Sequence, residues 1–241
     1  MNFASDNPFA PDSMSAAAFA VEEERTAFLR RTYSHLAGAI LGFALIEFMI
    51  FSVVPADTLN GVMGQLASSQ YGWLIVLGAF MAVSWIADSW ARSSTSRTMQ
   101  YAGLALYVVA EAVIFVPLLY MAITFSPDAI STAVVMTTVM FGGLTVMVFV
   151  TRADFSWMGR WLCIAGFAVM GTIVCSILFG FQLGTLFIGA LIVFACASIL
   201  YQTSNILHHY RTDQYVSAAL SLFASVALLF YYVLMLLMSR D

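Results

Sequence analysis

Two carboxylic acids stand inside long apolar runs, and through them this chain can do chemistry. Glu111 lies ten residues into the run Tyr101 to Phe125, about 15 Å along a helix, and Glu47 lies fourteen residues into the run Tyr33 to Val54. Taking a carboxylate out of water penalises its charged form, so Glu111 is a candidate proton-sensitive group and Glu47 a second. The other reading of Glu111 stays open: a protonated or hydrogen-bonded acid that fixes helix packing. Pro117 follows six residues later. It removes one backbone hydrogen bond, frees the carbonyl of Val113 and predicts a kink just beyond the acid, one way to line a cavity.

Hydroxyls and amides supply the remaining polarity at depth. Ser217, Ser221 and Ser225 recur every four residues and stack on one helix face, and Ser198 and Gln202 repeat that spacing in the preceding run. Such stripes serve either close helix packing through hydrogen bonds or a water-filled path. Gly38-x-x-x-Gly42 and Gly180-x-x-x-Gly184 fit tight helix contacts.

Other chemistries are excluded by what is missing. All nine basic residues are arginine, so there is no lysine amine for a retinal or pyridoxal Schiff base and none for a phosphate-binding loop. HExxH, GxSxG and GxGxxG do not occur. His35 and the His208-His209 pair sit at run ends with no third ligand nearby, and Cys163, Cys175 and Cys196 lie inside runs, where a thiol acts as a small hydrophobe. Asp88 stands four residues before Arg92, as an i,i+4 partner. No enzyme, metal or cofactor is expected. Scattered arginines and a net charge of −4 also argue against nucleic acid.

The elements that must position these groups follow from composition. With 62% apolar and 9% charged residues, the chain belongs in a lipid bilayer. Runs of about 20 residues cross a hydrocarbon core, and they occur at Tyr33 to Val54, Tyr71 to Trp90, Tyr101 to Phe125, Ala129 to Thr151, Trp161 to Phe181, Leu183 to Ser204 and Val216 to Met238. The fold class is therefore an all-α membrane protein of seven transmembrane helices. Spans 3 and 4, and spans 5 and 6, form hairpins across short turns. The domains are a tail, residues 1–32, and a transmembrane domain, residues 33–241, with almost nothing left over. The tail is no cleavable signal: Asn7-Pro8 and Ala10-Pro11-Asp12 read as disordered, and Ser15 to Thr32 as a helix running into span 1. With the amino terminus in the cytoplasm, Arg25, Arg30, Arg31, Arg92, Arg97, Arg152, Arg160 and Arg211 all fall inside and only Arg240 outside. The reading is N-in and C-out.

Two stretches carry a resemblance. Thr151-Arg152-Ala153-Asp154-Phe155-Ser156-Trp157-Met158-Gly159 is similar to the T-x-x-D-F-S-x-x-G loop of the Bax inhibitor-1 (transmembrane Bax inhibitor motif) family. Leu200-Tyr201-Gln202-Thr203-Ser204-Asn205-Ile206, with Asp213-x-Tyr215 and Ala219-Leu220-Ser221-Leu222-Phe223 after it, resembles that family's signature across spans 6 and 7. The likeness is greatest to the bacterial YccA branch. It implies a bacterial inner-membrane protein with six helices around a central seventh. Arg152, Asp154, Phe155, Ser156 and Gly159 form the motif loop.

Some bacterial relatives are pH-sensitive calcium leak channels gated by one acid on span 6 and one on span 7. Those acids fall on Gln202 and Ser225, neither of which ionises. The YccA branch is associated instead with the membrane AAA protease FtsH, which begins on a cytoplasmic tail. The leading expectation is thus a non-enzymatic modulator that binds an FtsH-like protease through residues of its tail. The competing one is a leak path for Ca2+ or H+ with Glu111 as titrating group and Glu47, Gln202 and Ser225 as further candidates.

Overall fold

A computed structural model describes residues 22–69, 71–93 and 96–239. Most of the tail, residues 1–21, and Arg240 lie outside the described residues. In hydrocarbon a backbone must close its own hydrogen bonds, so each apolar run becomes a helix. In chain order they are α1 (Glu22–Val53), α2 (Ala56–Ser68), α3 (Gly72–Ala91), α4 (Arg97–Phe125), α5 (Pro127–Thr151), α6 (Met158–Phe179), α7 (Thr185–His208) and α8 (Tyr215–Met238). All but α2 are long and apolar enough to cross a membrane.

The seven expected spans are all present, and most helices extend beyond the apolar stretch. α1 begins at Glu22 and passes residues 32 and 33 without a break, with Glu22, Glu23 and Glu24 in the first turn, where the helix dipole favours acids. α2 was not expected. Its thirteen residues hold no membrane-length apolar run; it is seated by Leu59, which is buried, and by the Tyr120 hydroxyl, which donates to Asn60 Oδ1 at 2.6 Å. A single residue, Ser126, joins α4 to α5, and Pro127 opens α5 where no amide donor is needed. α4 continues through Pro117.

α8 is the central helix. It packs against α1, α3, α4, α5 and α7. Val216, Ala218, Ala219, Leu222, Leu229 and Leu234 are fully enclosed. α4 shares the middle, with Ala112, Phe115 and Ala122 equally buried. α6 lies outermost, carries no buried residue and reaches the bundle through α7 and the edge of α3. Edge-to-face aromatic contacts tie α1, α4 and α8 together: Phe43 to Phe115 at 5.0 Å and Phe115 to Tyr231 at 5.2 Å.

The tight glycine contacts are not where the spacing motifs placed them. Nothing lies within 4 Å of a side chain built at Gly38, Gly180 or Gly184, and Gly42 meets only Val108 at 3.9 Å. Gly180 instead ends α6 in the left-handed conformation, φ 70°. Close approach occurs at Gly103 on α4, where an added Cβ would stand 2.5 Å from the Ala87 carbonyl oxygen and 2.6 Å from the Ala91 nitrogen of α3. An i,i+4 glycine pair marks a bare helix face, and whether a neighbour occupies that face depends on the partner helix.

Gly103→Ala should therefore force α3 and α4 apart at a cost of about 1–3 kcal/mol. Gly171→Ala, which meets open space, should be neutral or slightly stabilising. Thermal unfolding in detergent reads both; equal midpoints would show that the α3–α4 contact yields freely.

Candidate functional site

Four helices turn polar residues spaced by four toward a common space. α3 supplies Ser84 and Asp88, with Arg92 at its C-cap, α4 Tyr107 and Glu111, α7 Ser198 and Gln202, and α8 Ser221 and Ser225. The spacing of four puts the members of each set on one face, with α8 at the centre of the arrangement. They line a cavity of about 480 Å³, with Phe80, Trp85 and Leu228 among its apolar walls. Asp88 and Arg92 lie at the end of α3 that meets the start of α4, and Glu111 stands fourteen residues into α4, about 21 Å along its axis. The cavity thus leads from the arginine-bearing end toward the middle of the bundle.

Three of the candidate residues, Glu111, Gln202 and Ser225, meet in this cavity. Glu111 is 6% exposed and faces the Tyr107 hydroxyl one turn earlier on its own helix. Among the described residues no hydrogen bond joins Gln202 to Ser225; the Ser225 hydroxyl donates to the Ser221 carbonyl at 3.1 Å, and that of Ser221 to the Ser217 carbonyl at 3.0 Å. The serine stripe therefore satisfies its own helix and leaves hydroxyl oxygens toward the cavity. Glu47 is elsewhere. It is buried on α1, lines none of this space, and neither carboxyl oxygen has a hydrogen-bond partner among the described residues.

Asp88 and Arg92 form the expected pair, with Arg92 Nε donating to Asp88 Oδ2 at 2.7 Å. Sequence reasoning missed that this pair shares a cavity with Glu111. The signal was available in the recurrence of polar i,i+4 pairs on four separate spans. Tyr210, between α7 and α8, bonds Ser221 Oγ at 3.1 Å near Arg92, and burial pushes its phenol up, with the Ser221 hydroxyl opposing.

The motif loop makes a second site, and it docks on the second motif. The Phe155 amide donates to Ser204 Oγ at 2.8 Å, while the Ser204 hydroxyl faces Ala153 O and Asp154 Oδ1, each at 3.4 Å. Asp154 also accepts from the Ser156 amide at 2.8 Å and stands 3.4 Å from His209 Nε2. His208 bonds back to the Ser204 carbonyl at 3.0 Å, so the histidine pair braces this joint. Gly159 is required by Tyr201: an added Cβ would stand 2.8 Å from the Tyr201 hydroxyl. Arg152 ends α5 in the left-handed conformation, φ 50°, which turns the chain into the loop.

Partial burial pushes the Asp154 carboxyl up, but the Ser156 amide and hydroxyl and the His209 ring outweigh it and hold the group below the ordinary aspartate range. A depressed carboxylate stabilises the fold above its unfolded pKa, and that stabilisation is lost only as the pH falls below about 4. The Asp154 carboxylate is thus ionised at neutral pH and keeps its Ser156 amide bond. Among the described residues no three His, Cys, Asp or Glu side chains gather to hold a metal ion.

Residues 25–241 match the family described as inhibitor of apoptosis-promoting Bax1. An uncharacterized protein of Helicobacter pylori is 30% identical, covering 91% of this chain and 87% of its own length. Another, of Pseudomonas aeruginosa, is 27% identical over 88% and 89%. The Bax inhibitor 1 of Schizosaccharomyces pombe is 28% identical over 88% of this chain and 76% of its own.

Ser204→Ala leaves the Phe155 amide without its acceptor and should cost about 1–3 kcal/mol. Hydrogen exchange should quicken at residues 153–156. Ser198→Ala, whose hydroxyl bonds only to its own helix at Phe194 O, should leave that exchange unchanged. Equal protection in the two variants would remove Ser204 as the anchor.

Proposed function

Because the chain belongs to the Bax inhibitor-1 family of membrane proteins, we propose that it works as a proton-sensitive cation path without catalysing a covalent reaction, and that Glu111 is its titrating group. One observation carries this reading: polar residues from four helices line an open-sided cavity that leads from the arginine-bearing end to a buried acid. Hard cations take oxygen ligands. The cavity offers them in Glu111, Asp88, the Gln202 amide and the Ser221 and Ser225 hydroxyls. Ionised, Glu111 draws a cation toward the bundle centre; protonated, it leaves the inner half of the cavity neutral. The arginine-bearing end faces the cytoplasm of a bacterium, whose inner membrane holds the protein.

Reconstituted in calcium-loaded liposomes, the parent chain should release Ca2+ at a rate that changes between about pH 6 and about pH 8, whereas Glu111→Gln should release it at a rate indifferent to pH. No release from the parent, or an unchanged pH profile in the variant, sinks the proposal.

A second reading rests on α1. Its acidic first turn, Glu22 to Glu24, is exposed and continues toward residues 1–21 at the arginine-bearing end. That end of the chain offers a cytoplasmic handle for an FtsH-like protease, which the chain would modulate. Deleting residues 2–24 should abolish co-purification with the protease; retention by the truncated chain counts against the handle.

A further inference from the structure

On the outside of the bundle α1 and α4 do not close on each other along their whole length. An apolar groove of about 550 Å³ runs between them, lined by Ser34, Gly38, Gly42 and Ile46 of α1 and by Leu104 and Val108 of α4. It exists because two glycines leave α1 bare: a side chain at Gly38 would meet nothing within 4 Å. From Ser34 to Ile46 the groove follows about 18 Å of helix, close to the roughly 15 Å thickness of one hydrocarbon leaflet.

A cationic and aromatic cluster closes its arginine-bearing end. Arg31 and Arg97 both lie over the Tyr215 ring, 5.7 and 5.1 Å from its centre, and Arg97 also donates to the Tyr215 hydroxyl at 2.6 Å. That hydroxyl is 3.2 Å from Tyr101 OH, which is 3.3 Å from His35 Nε2. His35 Nδ1 faces the Arg31 carbonyl at 2.6 Å, so it carries a proton there. Both arginines are exposed, and among the described residues neither has a carboxylate partner.

We propose that this groove is a binding site for an anionic phospholipid, with the phosphate between Arg31 and Arg97 and one acyl chain along Gly38 and Gly42. Two guanidinium groups beside one aromatic ring concentrate positive charge that an anion offsets, and arginine forks match phosphate oxygens in pairs. The phosphate of a lipid in the adjoining leaflet sits at the level of such a cluster, and its chain descends beside the helices. Charge at the head and a leaflet-long apolar channel below it select a lipid over a free anion, which has no use for the channel. The inference is independent of whether the central cavity conducts.

The test is native mass spectrometry of the full chain in detergent, titrated with dioleoyl phosphatidylglycerol, dioleoyl phosphatidylcholine and glycerol 1-phosphate. The parent should retain phosphatidylglycerol on the order of tenfold more tightly than phosphatidylcholine, because both lipids carry the phosphate but only phosphatidylcholine adds a quaternary ammonium, which the two arginines repel. The double variant Arg31→Gln/Arg97→Gln should lose that preference, and Arg160→Gln on α6 should keep it. Gly38→Leu, which fills open space and favours helix, should weaken both lipids while leaving the fold intact. The proposal is overturned by equal retention of the two lipids in the parent, by a preference that survives the double substitution, or by phosphatidylglycerol affinity unchanged in Gly38→Leu. Glycerol 1-phosphate bound as tightly as the lipid would assign the cluster to a free anion. A lipid-free dimer broken by Gly38→Leu would assign the groove to a second copy.

Discussion

Inside hydrocarbon no polar group can fall back on water, and the arrangement of this protein follows from that constraint. Hydroxyls on the spans mostly return to their own backbone: Thr138 to Val134, Thr172 to Ala168, Ser198 to Phe194, Ser225 to Ser221. The one carboxylate near the end of α3 is held by the arginine four residues later. Charges left over gather at helix ends, where Arg31 and Arg97 meet on Tyr215 and where Arg25 and Arg152 flank one small cleft. Among the acids of the described residues, Glu111 and Glu47 are buried away from any base, and they differ in kind. Glu111 opens on a cavity with a phenol beside it, whereas Glu47 has no hydrogen-bonding group within reach among the described residues.

Two motifs some fifty residues apart in sequence form one joint where the chain turns from α5 to α6. Leaving the membrane between α5 and α6, the chain must satisfy the amides that no helix pairs. Ser204 supplies an acceptor for Phe155, Asp154 one for Ser156, and the Tyr201 ring closes over Gly159. Gln202 belongs to the same turn of α7 and points into the central cavity.

Periodicity and apolar length were enough to read the seven spans, their order and the shared end of most arginines, because each depends on composition over about 20 residues. α2 escaped because Ala56–Ser68 is short, and only the docking of Leu59 and Asn60 against the rest of the protein holds it. The glycine motifs misled for a related reason. Small residues permit close approach but do not supply the neighbour, so Gly103 found one and Gly38 did not. Of the site, Glu111 was legible as an acid at depth. Its company was not, since Asp88 and Arg92 read locally as a closed pair and only the packing of α3 beside α4 brings them to the cavity.

Neutral residues at Gln202 and Ser225 shift where charge can act. Two acids that share a site titrate as a coupled pair with two macroscopic steps. Here the cavity holds Asp88, already matched by Arg92, and Glu111, which forms no salt bridge among the described residues. On the proposed reading the response is therefore a single step belonging to Glu111. Arg92 then becomes the obstacle to a cation, because its positive charge stands at the end from which the cavity is entered. It is held there by one i,i+4 ion pair, Nε to Oδ2 at 2.7 Å. A cation approaching Asp88 competes directly with Arg92 for the carboxylate, and displacing the guanidinium needs no helix to move. On that reading a side chain would govern entry and a proton passage, with the two controls on different helices, α3 and α4.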